Sequence, residues 1–388
     1  MKYSILLPTR NGGLFLENCI HSILNQDYSD FELVISDNAN TDNTPDVIQK
    51  FKDNPCVKQI RNEAVVSVTE NWNNAYHASS GDYILMMGDD DYLLPGYFQR
   101  MDSILERYEQ PDCVVYNAFS YVAPQSIDGN PHSFYGEQHF SFDKNLTTER
   151  QLLEAERFSI VRDMFRFKVR IPLNMQTTLI ARTVAQKING GVFQPPFPDH
   201  YALNSLLLLA DKWVFSPEKW VVVGVSPKSF GHYVYSNQQS SGLAYLGIAA
   251  DFAGRLPGNE LLNGMVVWLL RLLENYPELL GKMKVDRAGY VRRQIYAWWI
   301  QARLGTLSRK ELRHRFRLIP LQDWFGLFGS FLDAATWKRI YRQLSARGTS
   351  SVEMQWHGLT PLPDVTNIQE FGRWIAHRDN MTEESVRD

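Results

Sequence analysis

The chain has 388 residues, 44% of them hydrophobic and 21% charged, which is ample for one large or two ordinary domains and excludes wholesale disorder. Forty basic residues against 43 acidic ones leave a formal net charge of −3, which excludes a nucleic-acid coat driven by bulk positive charge. Three scattered cysteines, Cys19, Cys56 and Cys113, argue for a reducing compartment and against a disulfide framework or a structural zinc site.

The opening MKYSILLPTRNGG holds one short apolar run before Pro8 and Arg10, so no signal peptide is expected. Residues 4–7 read as a buried strand stopped by Pro8, and 14–24 as a helix with Leu14, Ile20, Ile23 and Leu24 near one face. A second strand over 31–36 ends in the turn-prone run 37–42. A helix over 45–51 carries Pro45 in its first turn, where the missing N–H costs little. A third strand covers 57–60, and 69–80 reads as a helix capped by Gly81. The fourth strand, 82–87, runs into Gly88-Asp89-Asp90-Asp91; a helix at 97–108 and a strand at 113–116 follow.

This alternation predicts an α/β fold, a mostly parallel sheet covered by helices, with ligands at the carboxyl ends of the strands. No GxGxxG follows the first strand, so a dehydrogenase reading is weak. Residues 122–150 turn polar and loop-like, an excursion over the sheet edge. Order resumes over 151–232, with strands at 176–180 and 220–225 around a helix starting near Pro198-Asp199. Beyond about residue 242 long helical stretches rich in Leu, Trp and Arg predict a second module, so the chain divides into 1–240 and 241–388. The best apolar stretch, 261–273, is interrupted by Asn263, Gly264 and Arg271; no spanning helix is expected and the class is a soluble cytoplasmic protein.

Asp89, Asp90 and Asp91 carry the most chemistry. Three adjacent carboxylates at the end of a buried strand repel one another, and a hard divalent cation is their natural counter-charge. A surface turn with Asp89 capping the next helix is the plainer reading. Two further polar clusters on the same edge favour a site.

These segments carry a resemblance. SILLPTRN, ELVISDNANTDNT and SGDYILMMGDDDYLLPGY are similar to the family 2 nucleotide-sugar glycosyltransferases of GT-A fold, well over about residues 1–120 and more loosely to about 240. The resemblance implies that Pro8, Thr9, Arg10 and Asn11 lie against the nucleoside and that Asp37 accepts a hydrogen bond from the base. It also implies Mg2+ or Mn2+ held with the ribose-diphosphate by a DxD-like motif. Counted back from Pro95, Asp90 aligns with the metal ligand and Asp89 with the carboxylate before it; Asp91 is a further metal candidate. Gly88 stands where commoner members carry an Asp, so the division of roles among the three stays open. Asn71 and Asn74, on the preceding helix, are candidates to approach the sugar or ribose; solvated asparagines are the plainer reading.

Residues 189–203, NGGVFQPPFPDHYAL, resemble the family's Gly-Gly-aromatic segment followed by an acid that opens a helix. That makes Asp199 the general base of an inverting transfer. A plain N-cap is its structural alternative. His200 is the other candidate base, expected on a different side of the helix start. Lys228 lies where GT-A enzymes bring a loop over the diphosphate and suits a phosphate, and His232 is a further candidate metal ligand. Residues 282–317 carry 11 Lys or Arg against two acids, with Tyr290, Tyr296, Trp298, Trp299 and Phe316. They read as an interfacial patch for anionic lipid or a lipid-diphosphate acceptor, or as a solvated face whose aromatics pack into the core; the second is favoured.

The expectation is a metal-dependent inverting glycosyltransferase. It moves a sugar from a nucleotide-diphosphate sugar, UDP- or dTDP-linked, to a glycan or lipid-linked acceptor in bacterial surface polysaccharide assembly. The helical module is assigned acceptor, membrane-surface or oligomer contacts, with peripheral attachment at the inner face of the membrane and a homo-oligomer left open. The rivals are a sugar nucleotidyltransferase, against which the single basic residue of Thr9-Arg10-Asn11-Gly12-Gly13 argues, and a silent nucleotide-sugar-binding scaffold.

Overall fold

Apolar runs too short for helices pair as strands at the centre of the molecule. The computed structural model describes residues 1–126, 131–138, 146–168, 174–227, 229, 251–303, 305–331 and 359–385. Strands β1 (Tyr3–Thr9), β2 (Phe31–Asp37) and β3 (Val57–Arg61) alternate with helices α1 (Leu16–Leu24), α2 (Thr44–Gln49) and α3 (Val68–Ala78). β4 (Tyr83–Met86) returns to the other side of β1, which places β1 at the point where strand order reverses. β1, β2 and β4 are buried almost throughout, as parallel strands covered on both faces must be, whereas β3 lies at the edge with Lys58 and Arg61 exposed.

β1 does not stop at Pro8 but runs through it, pairing Pro8 with Ser36 of β2. The ladder to β4 already ends at Leu6 and Met86, so on that side the missing N–H of Pro8 forfeits no bond. α3 ends at Ser79 in extended conformation rather than at Gly81. Gly81 is needed for another reason: a Cβ there would sit 2.7 Å from the backbone N of Ser4.

β5 (Tyr92–Leu93) and α4 (Tyr97–Arg107) lead to β6 (Cys113–Val122), whose partners are β10 (Trp213–Val225) in parallel and β9 (Thr178–Ala181) antiparallel. The expected loop 122–150 contains an antiparallel strand, β7 (Ser133–Gln138), against β6 and ends where β8 (Arg150–Leu152) begins to pair antiparallel with β10. After β8 come α5 (Glu154–Phe165), a 3-10 turn at Met175–Thr177 where a strand was expected to begin, α6 (Arg182–Ala185) and α7 (Pro198–Leu209). The sheet is therefore mixed, and its longest ladders, β6–β10 and β1–β2, are parallel.

The C-terminal part is helical, with α8 (Glu260–Asn275), α9 (Pro277–Leu280), α10 (Arg287–Arg303), α11 (Arg309–Arg317) and α12 (Leu321–Phe331). The boundary expected near residue 240 lies outside the described residues. Trp268, Leu272, Tyr290, Val291 and Trp298 belong to one continuous apolar core with the sheet, so two basic-segment aromatics, Tyr290 and Trp298, are core residues. The chain then returns to the sheet: β11 (Thr360–Leu362) pairs with β7, and α13 (Ile368–Ser385) stacks Phe371 on Tyr121 at 5.3 Å. Among the described residues no helix is long and apolar enough to cross a membrane.

Candidate active site

Register alone brings three loops together. Thr9 pairs with Asp37 and Leu6 with Met86, so β1, β2 and β4 deliver their following residues to one edge. Thr9 Oγ1 donates to Asp89 Oδ2 at 2.6 Å. Gly12 lies beneath the same carboxylate, where a Cβ would come within 1.9 Å of Asp89 Oδ2. A close approach, not a dinucleotide turn, explains that glycine. Arg10 Nη1 donates to the Ala39 carbonyl at 2.9 Å, and the Asn11 N–H to Asn40 Oδ1 at 2.5 Å. Asn11 Oδ1 accepts from the Thr41 N–H at 2.9 Å. Asn11 and Ala39 both take left-handed backbone, φ 54° and 49°, a strain that clusters at functional edges.

Asp37 is buried. Its Oδ1 accepts from the Asn40 N–H at 2.8 Å and its Oδ2 pairs with Arg61 at 3.0 Å. Asn38, which composition marked only as turn-prone, is a structural clasp: its side chain exchanges hydrogen bonds of 2.9 Å with both backbone groups of Val66. Asn71 serves the same purpose one turn on. Its Oδ1 accepts from Ser36 at 2.7 Å and from Asn62 at 2.9 Å, and it is buried between β2 and α3 rather than presented to the edge.

The three aspartates separate. Asp89 faces Thr9 and Gly12. Asp90 is half-buried and accepts from Ser229 Oγ at 3.3 Å. Asp91 turns inward, its oxygens taking the Gly88 N–H at 2.5 Å and the Gly224 N–H at 2.9 Å. With both oxygens held by backbone donors it ties the loop to β10, so the metal role expected of Asp91 does not suit its position. Burial, then the neighbouring Asp91 charge, pushes the Asp90 carboxyl well above the ordinary range, and burial pushes Asp91 up as well. Among the described residues no Lys, Arg or His forms an ion pair with either, and no group of three or more His, Cys, Asp or Glu converges as a metal site.

Asp199 lies in the first turn of α7, and the N-cap is Phe197 with no side-chain hydrogen bond, so Asp199 is not a cap. His200 is not on a different side: its Nε2 is 3.4 Å from Asp199 Oδ2. Burial against Phe197 and Trp268 lowers the His200 pKa more than Asp199 raises it, so the imidazole is neutral near pH 7. Lys228 and His232 lie outside the described residues.

The segment before α7 is fixed on two sides. Asn73 of α3 donates to the Phe193 carbonyl at 3.0 Å, and Arg271 of α8 donates to Gln194 Oε1 at 3.4 Å. Between them opens a cleft of about 410 Å3 lined by Ser67, Glu70, Asn74, His77 and Arg271 among others. One wall comes from Ser67 and α3, the other from residues 190–195 before α7, with Arg271 of α8 beside it.

Residues 4–166 match the family model for Glycosyl transferase family 2. A GalNAc(5)-diNAcBac-PP-undecaprenol beta-1,3-glucosyltransferase of Campylobacter jejuni is 37% identical over 97 residues, 24% of this chain and 31% of the relative. A poly(ribitol-phosphate) beta-glucosyltransferase of Bacillus spizizenii is 30% identical over 102 residues, 24% of this chain and 15% of the relative. In both cases the match spans less than half of the relative's length. Among solved structures, S. aureus TarS 1-349 in complex with UDP-GlcNAc aligns over 77% of this chain and 81% of that one, at 16% identity and a TM-score of 0.46. The family match and the sheet order agree with the α/β, GT-A-type fold expected from the sequence.

Proposed function

We propose that this chain, whose residues 4–166 are a glycosyl transferase family 2 segment, transfers a sugar with inversion from a nucleotide-diphosphate sugar to an acceptor hydroxyl. One observation carries the reading most: the Thr9–Asp89 contact over Gly12, at the strand-order reversal, sets a carboxylate beside a loop able to cradle a nucleotide. Asp37 lies one strand away on the same edge and suits a base N–H, with the solvent-exposed Arg61 as the partner that would yield.

The donor set fits a hard divalent cation, Mg2+ or Mn2+: carboxylate oxygens of Asp89 and Asp90 with the Ser229 hydroxyl nearby. When bound, such an ion supplies counter-charge to the departing nucleotide diphosphate. Thr9 holds Asp89 in one rotamer for that task, and Gly224 and Gly88 fix Asp91 so that the loop keeps its shape. Asp199 takes the acceptor proton. His200, with Nε2 3.4 Å from Asp199 Oδ2, packs beside the carboxylate as a positioning neighbour and stays neutral because it is buried.

The nucleotide is UDP or dTDP, as the family resemblance implies, and the acceptor a glycan or lipid-linked saccharide, for which the PP-undecaprenol-linked acceptor in the name of the Campylobacter jejuni relative is the analogy. A thermal-shift screen of nucleoside diphosphates with and without Mn2+ tests the reading, since a ligand of the native state raises its stability by mass action. A metal-dependent rise with one nucleoside supports it. Pyrophosphate release from nucleoside triphosphate and sugar phosphate would instead favour the nucleotidyltransferase, and binding without turnover the silent scaffold.

A further inference from the structure

We propose that α12, together with α11 before it, docks peripherally on an anionic phospholipid surface. α12 has a definite inner face. Asp323 is buried and pairs with Arg287 of α10 at 2.7 Å, Leu327 joins the apolar core, and a Cβ on Gly326 would lie 3.6 Å from Ala288 Cβ. The opposite face is apolar and open to solvent. Leu321, Phe325 and Phe328 recur at helical spacing and are 72%, 65% and 65% exposed, and Leu318, just before the helix, is 45% exposed. The Phe325 and Phe328 rings lie 6.3 Å apart, so the strip is contiguous. Scattered exposed leucines are ordinary, but a run of this kind marks a docking surface.

Charge identifies what covers it. α11 exposes Arg309, Lys310, Arg313 and Arg317, and its one acid, Glu311, is committed to Arg315 at 2.5 Å. A second copy meeting this face symmetrically would bring these cations against their own duplicates. An anionic bilayer satisfies both features at once: Leu and Phe side chains enter the head-group and acyl boundary while Lys and Arg remain at phosphate level. The apolar strip lies one helix beyond the basic, aromatic segment that composition singled out, and the inference is independent of the reaction proposed above.

Co-sedimentation of the full chain with vesicles tests it. Phosphatidylcholine vesicles containing about one-third phosphatidylglycerol should retain the protein at low salt, and pure phosphatidylcholine at least tenfold less, with retention falling as salt screens the cations ("tenfold" being about 1.4 kcal/mol). F325S/F328S should lose retention while keeping the wild-type melting temperature, and R313E/R317E should lose the preference for phosphatidylglycerol. No binding by the wild type, or equal binding by F325S/F328S, overturns the proposal. So does a wild-type dimer in light scattering that F325S/F328S converts to monomer without any change in vesicle retention.

Discussion

The carboxylate of Asp199 and the imidazole of His200 form the smallest unit of the account. If Asp199 takes the acceptor proton, Asp199→Asn lowers kcat by about 10²–10⁴-fold and leaves the donor dissociation constant unchanged. Steady-state kinetics beside calorimetric donor titration separates the two effects; a normal kcat removes the assignment. Asp90 and Asp91 make a second, pH-linked prediction. Both carboxyls are pushed up in the folded chain, so the fold binds protons there more tightly than the unfolded chain does. Stability from this pair is therefore full below the ordinary carboxylate pKa of about 4 and is lost as pH rises towards neutrality. Without metal, melts should weaken across that interval, and Mn2+ should raise the melting temperature more at pH 8 than at pH 5. An equal rise at both would contradict it. Sequence made Asp89 and Asp90 visible as adjacent charges after an apolar strand. It could not show that Asp91 turns away, because its partner Gly224 lies 133 residues distant in the chain.

Among the elements, β1, β2 and β4 were legible because each is a short apolar run bounded by breakers. β6 and β10 extend well beyond their expected ends, since Asn117, Ser120 and Ser216 look like strand exits but are buried in ladders made with remote partners. β7 and β8 were missed for the same reason: short polar strands here depend on remote partners, β6 and β11 for β7 and β10 for β8. The contact between α8 and the segment before α7 yields a prediction of its own. A Cβ on Gly264 would meet the Phe197 ring at 2.5 Å and Pro196 Cγ at 2.9 Å. Replacing a helix glycine with alanine ordinarily gains about 1 kcal/mol, whereas overpacking a buried ring costs about 1–3 kcal/mol. The ring is not a flexible tip, so the clash wins. Gly264→Ala should lower the melting temperature and reduce kcat through Asp199, and a raised melting temperature would show that the two helices do not press together as described.

For the whole molecule, the division expected at residue 240 follows a change in composition, and the helices beyond it share a core with the sheet. Core residues of α8 and α10 merge with those of the sheet, and the chain end returns to cover β6. Periodicity shows an apolar helix face but not which surface it covers. Phe371, fully buried against Phe119, Tyr121 and Tyr135, is the centre of that return. Phe371→Ala should cost about 3–5 kcal/mol in a denaturant melt; a loss under about 1 kcal/mol would mean that the C-terminal helix is a loose appendage.

The central claim is that Asp89 and Asp90 hold a cation against a nucleotide diphosphate at the edge shared by β1, β2 and β4. Calorimetric titration of UDP and dTDP into wild type and Asp90→Asn, each with and without Mn2+, tests it most directly. The account predicts binding of one nucleotide that Mn2+ strengthens at least about tenfold, about 1.4 kcal/mol, and that Asp90→Asn makes indifferent to metal. Binding equally tight with and without Mn2+, and unchanged in Asp90→Asn, would contradict it.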